Sequence, residues 1–244
     1  MRIKTVCFNH YLLESPLLDY QTTNIQALII RRKWLDVPLK KRLQLIYNFV
    51  REEILFGYNA KDNLPASRIL EEGIGQCNTK STLLMALLRA CQIPCRLHGF
   101  TIHKALQKGA ITGLNYWLAP PNILHTWVEV NYEGQWYNLE GVILDQAYLE
   151  ALQERFKDCA TNFCGYGVYT EDLLQPVLDW EENDTYIQAL GINQDFGLFD
   201  TPDDFYQKHQ QALSPIKEYI FQHWSRYKMN HRVQQIRSRS FSTT

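Results

Sequence analysis

The sequence predicts a mixed chain in which amphipathic helices lead into an antiparallel hairpin, and three patterns predict it. Leu84, Leu87, Leu88 and Cys91 follow i, i+3, i+4, i+7 spacing, which gives a helix with one core-directed apolar face. From residue 125 the period changes to two, with Thr126, Val128, Val130 and Tyr132 alternating against His125, Trp127, Glu129 and Asn131. Glu133-Gly134 is a turn signal, so residues 135–139 read as the returning strand of a hairpin.

Taken along the chain, Asp36 and Pro38 open a helix running to about Phe56, with Leu39, Leu43, Ile46 and Val50 on one face. Gly73 and Gly75 mark a turn, and a second helix follows from Asn78 until Gln92-Ile93-Pro94 ends it, because proline cannot continue a helix and restricts its predecessor. Cys95 to Ile102 reads as the first strand. Between it and the His125 strand, residues 104–124 hold Gly109, Gly113, Trp117 and Pro120-Pro121, a loop of a length that tends to be functional. Tyr148 to Phe156 reads as a helix, and Ser214 to about Arg239 as another with Ile216, Ile220 and Trp224 on one side. The glycine-punctuated stretches at 165–168 and 191–197 read as ordered turns.

Composition narrows the class. A chain of 244 residues with 45% hydrophobic and 13% aromatic content has ample material for a core, which excludes global disorder. Its net charge of −1 gives no support for nucleic acid or an anionic membrane as a partner. There is no apolar run of eighteen residues and no charged-then-apolar leader, so the expected location is the cytoplasm. Cysteines 7, 77, 91, 95, 159 and 164 need no pairing in such a chain. Cys91, Cys95 and His98 could be read as a metal cluster, but Cys95 and His98 fall on opposite faces of one strand, which favours ordinary packing. The expectation is therefore no metal and no cofactor. Ten acidic residues and no Lys or Arg lie between Glu171 and Asp204, read as a solvated face in preference to a cleft for a cation.

Three residues carry chemistry. Cys77 lies in the first turn of its helix, where unpaired backbone N–H groups favour a thiolate and could bind a developing oxyanion. With a two-residue turn, His125 lies opposite Val142, and Glu140 is its diagonal neighbour on the same face, about 7–8 Å away at the backbone. A carboxylate on one ring nitrogen would fix the tautomer and leave the other facing the thiol. His98 is a weaker rival for the base, since no acid-bearing hairpin follows it.

At these residues the sequence resembles the transglutaminase-like superfamily. The likeness includes the Gly73-x-Gly75-x-Cys77 turn, the helix ending in residues 88–96, His125-x-Trp127-x-Glu129-Val130 and Trp136-x-x-x-Glu140, and it covers roughly residues 11–145. The resemblance implies a papain-like α+β fold in which the nucleophile helix packs on an antiparallel sheet. It implies a core over residues 1–145, with residues 146–244 as a mainly helical C-terminal extension packed on it. It maps the family's nucleophile onto Cys77, its base onto His125 and its orienting acid onto Glu140. An aspartate is usual at the last position, and Asp145 is the possible substitute. The expected activity is acyl transfer through a thioester, hydrolytic in preference to amine transfer, on a peptide or small amide. A catalytically silent binding module is the alternative from another class. Gln76, Trp117 and Trp127 are the candidate substrate contacts.

Overall fold

The computed structural model describes residues 9–211 and 213–239; Cys7 lies outside them. Helices α1 (Thr23–Arg32) and α2 (Leu39–Glu52) precede a short parallel pair made by β1 (Leu55–Phe56) and β2 (Ile74–Gly75), with α3 (Ala66–Glu72) between its strands. Helix α4 (Cys77–Ala90) follows directly. The chain then enters β3 (Cys95–His103), crosses α5 (Gly113–Leu118), and forms the hairpin β4 (Asn122–Tyr132) and β5 (Gln135–Leu139). Beyond it lie α6 (Gln146–Arg155), a small hairpin of β6 (Phe163–Gly165) and β7 (Val168–Thr170), β8 (Ile192–Phe199), α7 (Pro202–Lys208), α8 (Pro215–Ile220) and α9 (Arg226–Arg237). The main sheet is antiparallel in the order β5-β4-β3-β8. This is an α+β arrangement with α4 packed on an antiparallel sheet, and the C-terminal part, of helices and three short strands, adds β8 to that sheet. Among the described residues no helix is long and apolar enough to cross a membrane.

The α4 spacing proves too modest a description. Cys77 through Arg89 are all buried, including Asn78, Lys80, Thr82 and Arg89. Helices α1 and α2 bring Ile25, Leu43, Ile46 and Val50 against it, and the sheet brings Leu97, Val128 and Val130. Burial of each of Leu84, Leu87 and Leu88 contributes about 1.5–3 kcal/mol. The buried Arg89 donates to the carbonyls of Leu13, Cys95 and Asp200, so its charge ties the helix C-terminus to three separate segments. A second apolar cluster joins Phe56, Tyr58, Ile143, Tyr148, Val168, Met229, Val233 and Ile236. Cys77 belongs to this second cluster, whereas the leucines of α4 belong to the first. The start of α4 therefore lies at the seam between them.

Several expectations are corrected. Helix α2 stops at Glu52, because Leu55 and Phe56 pair with Ile74 and Gly75 instead of continuing it, and Leu39 is exposed. Residues 104–124 are ordered into a 3-10 turn at Lys104–Gln107, α5 and the start of β4. Residues 191–197 lead into and form most of β8, with register shifts against β3. The 214–239 stretch is interrupted by a π-helical turn at Phe221–Ser225. Ile216, Ile220 and Trp224 face solvent, and Met229, Val233 and Ile236, which lie on the opposite side of a helix with about 3.6 residues per turn, are buried instead.

Candidate functional site

The turn that delivers Cys77 depends on close approach. Gly75 sits where a Cβ would lie 2.8 Å from Lys80 Cγ and 3.0 Å from Thr79 Oγ1, so the residue must be glycine. Thr79 Oγ1 accepts the Gln76 N–H at 3.1 Å, which caps the helix start. Cys77 is the first helical residue and is 8% exposed. Its Sγ lies 3.7 Å from Asn78 Oδ1, to which the thiol can donate. Asn78 also donates from Nδ2 to Leu124 O at 3.1 Å and accepts from Thr126 Oγ1 at 3.2 Å. These bonds grip β4 on both sides of His125, so the first turn of α4 is stitched to the strand at that residue.

The hairpin places the acid. Glu133 and Gly134 have φ of 50° and 86°, the two positive values of a type I′ turn, and Val128↔Leu139 through Tyr132↔Gln135 pair in the expected register. The strand ends at Leu139, however. Glu140 has φ −85° and ψ −29° and opens a 3-10 turn, so it reaches His125 from just past the strand. The carboxylate accepts from His125 Nε2 at 2.7 Å through Oε1, and both side chains are completely buried. Its other oxygen, Oε2, accepts the backbone N–H groups of Ile187, Gln188 and Ala189 at 2.8, 2.9 and 3.0 Å. Successive N–H groups converging on one oxygen form an anion nest. Nothing in the sequence pattern singled out residues 187–189, since backbone donors leave no side-chain signature.

His125 is thus held by one nitrogen. The other, Nδ1, is buried and has no hydrogen-bond partner among the described residues. Burial acts to lower the imidazole pKa, but the nearby Cys77 sulfur and the Glu140 carboxylate outweigh it and push it up to about 10. Cys77, His125 and Glu140 are therefore brought together as an ordered series, thiol, imidazole, carboxylate.

The remaining candidates separate. Asp145 does not serve His125: it caps α6 by accepting the Tyr148 N–H, accepts the Phe56 N–H at 2.9 Å, and pairs with Arg237 at 2.7 Å. Gln76 is committed, its Oε1 accepting the Asn59 N–H at 2.9 Å and its Nε2 donating to Asp62 at 2.9 Å. Trp127 packs between rings, 4.1 Å from Phe100, 5.6 Å from Tyr186 and 6.1 Å from His125. Trp117 lies on α5, 75% exposed. His98 holds two acids, Glu129 at 2.8 Å and Asp195 at 2.9 Å. Glu129 comes from β4, the first strand of the hairpin that follows, which corrects the expectation that no acid-bearing hairpin follows His98, and Asp195 from β8. Cys91 and Cys95 are buried thiols whose pKa values burial raises to about 12 and about 11. Among the described residues no group of three or more His, Cys, Asp or Glu side chains could hold a metal ion. From the acidic stretch, Glu171, Asp172 and Asp184 line a surface cleft of about 380 Å³ with Tyr169 and Tyr186.

No curated protein matches the chain. A solved structure from Cytophaga hutchinsonii, provisionally described as a cysteine protease, superposes with a TM-score of 0.47 at 13% identity. The match covers 81% of this chain and 48% of that one, so the chain spans about half its length. Residues 32–141, which run from the end of α1 to the residue after Glu140, match the family model of the transglutaminase-like superfamily.

Proposed function

We propose that the protein is a cysteine-dependent acyl-transfer enzyme that cleaves an amide bond through a thioester, with water as the preferred acceptor. The match of residues 32–141 to the transglutaminase-like superfamily supports a cysteine enzyme in general terms. The observation that carries the finer reading is the buried His125, bound through Nε2 to Glu140 while Nδ1 has no partner but Cys77 close by. In this reading Cys77 Sγ gives its proton to Nδ1 and attacks the carbonyl carbon. The imidazolium then protonates the leaving amine, and Nδ1 takes a proton from the water that resolves the thioester. Glu140 holds the ring and its positive charge throughout, itself fixed by the three N–H groups of residues 187–189.

Iodoacetamide labelling with mass mapping tests the pair. Cys77 is expected to react faster than the other cysteines at neutral pH, and His125→Ala to slow it by on the order of 10²-fold. Labelling that is indifferent to His125 would support a silent binding module instead. For the acceptor, the acetylated enzyme is offered a fluorescent primary amine in water. Release of free acetate supports hydrolysis, and acetylated amine as main product overturns that preference.

A further inference from the structure

Side chains from distant parts of the chain lie within electrostatic reach of Cys77. Tyr58 and Tyr206 both interact electrostatically with Cys77, and Tyr206 also with Asp62. Most of these groups are already committed. The Tyr58 hydroxyl donates to Gln107 Oε1 at 2.6 Å, Asp62 accepts from Gln76, and Asn78 uses both its oxygen and its amide. Tyr206 differs: its hydroxyl is buried and has no hydrogen-bond partner among the described residues. A buried hydroxyl left unpaired is uncommon and calls for a physical explanation.

The seat of Tyr206 is well built. Helix α7 starts on Thr201, whose Oγ1 accepts the Asp204 N–H at 3.1 Å, with Pro202 at its first position. Asp203 accepts from Ser15 Oγ and from the Leu17 N–H, and Phe205 packs edge-on against Phe199 at 5.1 Å. Just past the helix, Gln211 Oε1 accepts the Leu124 N–H at 2.9 Å, and its Nε2 donates to Asn122 O at 3.1 Å. Leu124 is the residue before His125, and its carbonyl is the one that Asn78 holds. One residue of β4 is therefore clamped between the segment that carries Tyr206 and the helix turn that carries Cys77.

We propose that the Tyr206 hydroxyl is an oxyanion donor of this site, acting with the first-turn N–H groups of α4 and resting on the reading of Cys77 as nucleophile. As the sulfur lone pair forms the S–C bond, the carbonyl π pair moves onto oxygen, and that oxygen accepts from the phenol. When the pair returns, the bond to the leaving group breaks and the leaving group departs with its electrons. The hydroxyl is unpaired in the resting protein because its acceptor exists only during the reaction.

The test compares two reactions of the same sulfur in the full chain. Acetylation by p-nitrophenyl acetate passes through an oxyanion and releases p-nitrophenolate; alkylation by iodoacetamide displaces iodide at a saturated carbon and forms none. Tyr206→Phe is expected to slow the p-nitrophenolate burst by about 10²-fold while alkylation of Cys77 keeps the wild-type rate. The melting temperature should hold or rise, since the change deletes an unpaired buried polar group. An unchanged burst overturns the proposal. So does a parallel fall in both reactions, which would mean that the hydroxyl serves the thiol or the fold. A wild-type protein that alkylates at Cys77 but gives no burst overturns the acyl-transfer reading itself, and the proposal with it.

Discussion

Among the described residues of the main sheet His98 and His125 hold carboxylates, and His125 also lies beside a thiol. His98 bridges Glu129 and Asp195 across three strands and is partly open to solvent. Burial lowers its pKa but the two acids prevail and raise it. His125 is sealed from water, so the effects of sulfur and carboxylate are larger there. Its raised pKa means that the folded protein keeps a proton that the unfolded chain loses above about pH 6.5. The stability this contributes is fully present below that pH and is lost as pH rises through about 10. Glu140→Gln removes one of the two supports, and ¹³C NMR titration of His125 should show its proton leaving at lower pH than in the wild type. An unmoved midpoint would show that Glu140 does not act on the ring. At this scale the sequence was readable. Cys77, His125 and Glu140 are each identifiable from spacing, and the one-residue misplacement of Glu140 relative to the strand end did not alter which atoms meet.

Element by element, the pattern reading was right about kind and less right about surroundings. Helix α4 was visible from its leucines as one core-directed face, and its polar residues are buried as well. Lys80 shows why. One turn after Cys77, its ammonium donates to the carbonyls of Arg51, Val142 and Ile143 at 3.1, 2.9 and 3.0 Å. Burial pushes its pKa down to about 7, and three carbonyl oxygens match the three donors of the protonated form. Two of those carbonyls belong to the 3-10 turn that Glu140 opens, so Lys80 ties the cysteine helix to the acid's turn. Lys80→Met keeps the volume and strands the carbonyls. It should cost about 1–3 kcal/mol in a denaturant melt, and a variant as stable as wild type would show that the tie contributes nothing. No local pattern distinguishes such a lysine from a surface one, because its acceptors come from residues 29 and more than 60 positions away in the chain.

For the molecule as a whole, the C-terminal part is where local reading ran out. Strand β8 pairs with β3, residues 187–189 hold Glu140, and Arg237 of α9 reaches Asp145 and the Phe56 carbonyl. Burial alone would raise the Asp145 pKa, but Arg237 and the Phe56 N–H lower it. Stability from this pair is therefore present at neutral pH and lost as pH falls below about 4, through the depressed folded value. Arg237→Ala leaves a buried carboxylate uncompensated and should cost about 3 kcal/mol at pH 7. The difference from wild type should shrink in acid, and an equal loss at pH 7 and pH 3 would refute the ion pair as its cause. Helix class, strand alternation, hairpin register and the thiol–imidazole–acid set were legible in the chain, because each depends on residues within one element or one turn. The nest on Glu140, the burial of α4 on every side, the added strand β8 and the seat of Tyr206 were not. They are made of backbone donors and of contacts between segments far apart in sequence, and only folding brings those groups to the same place.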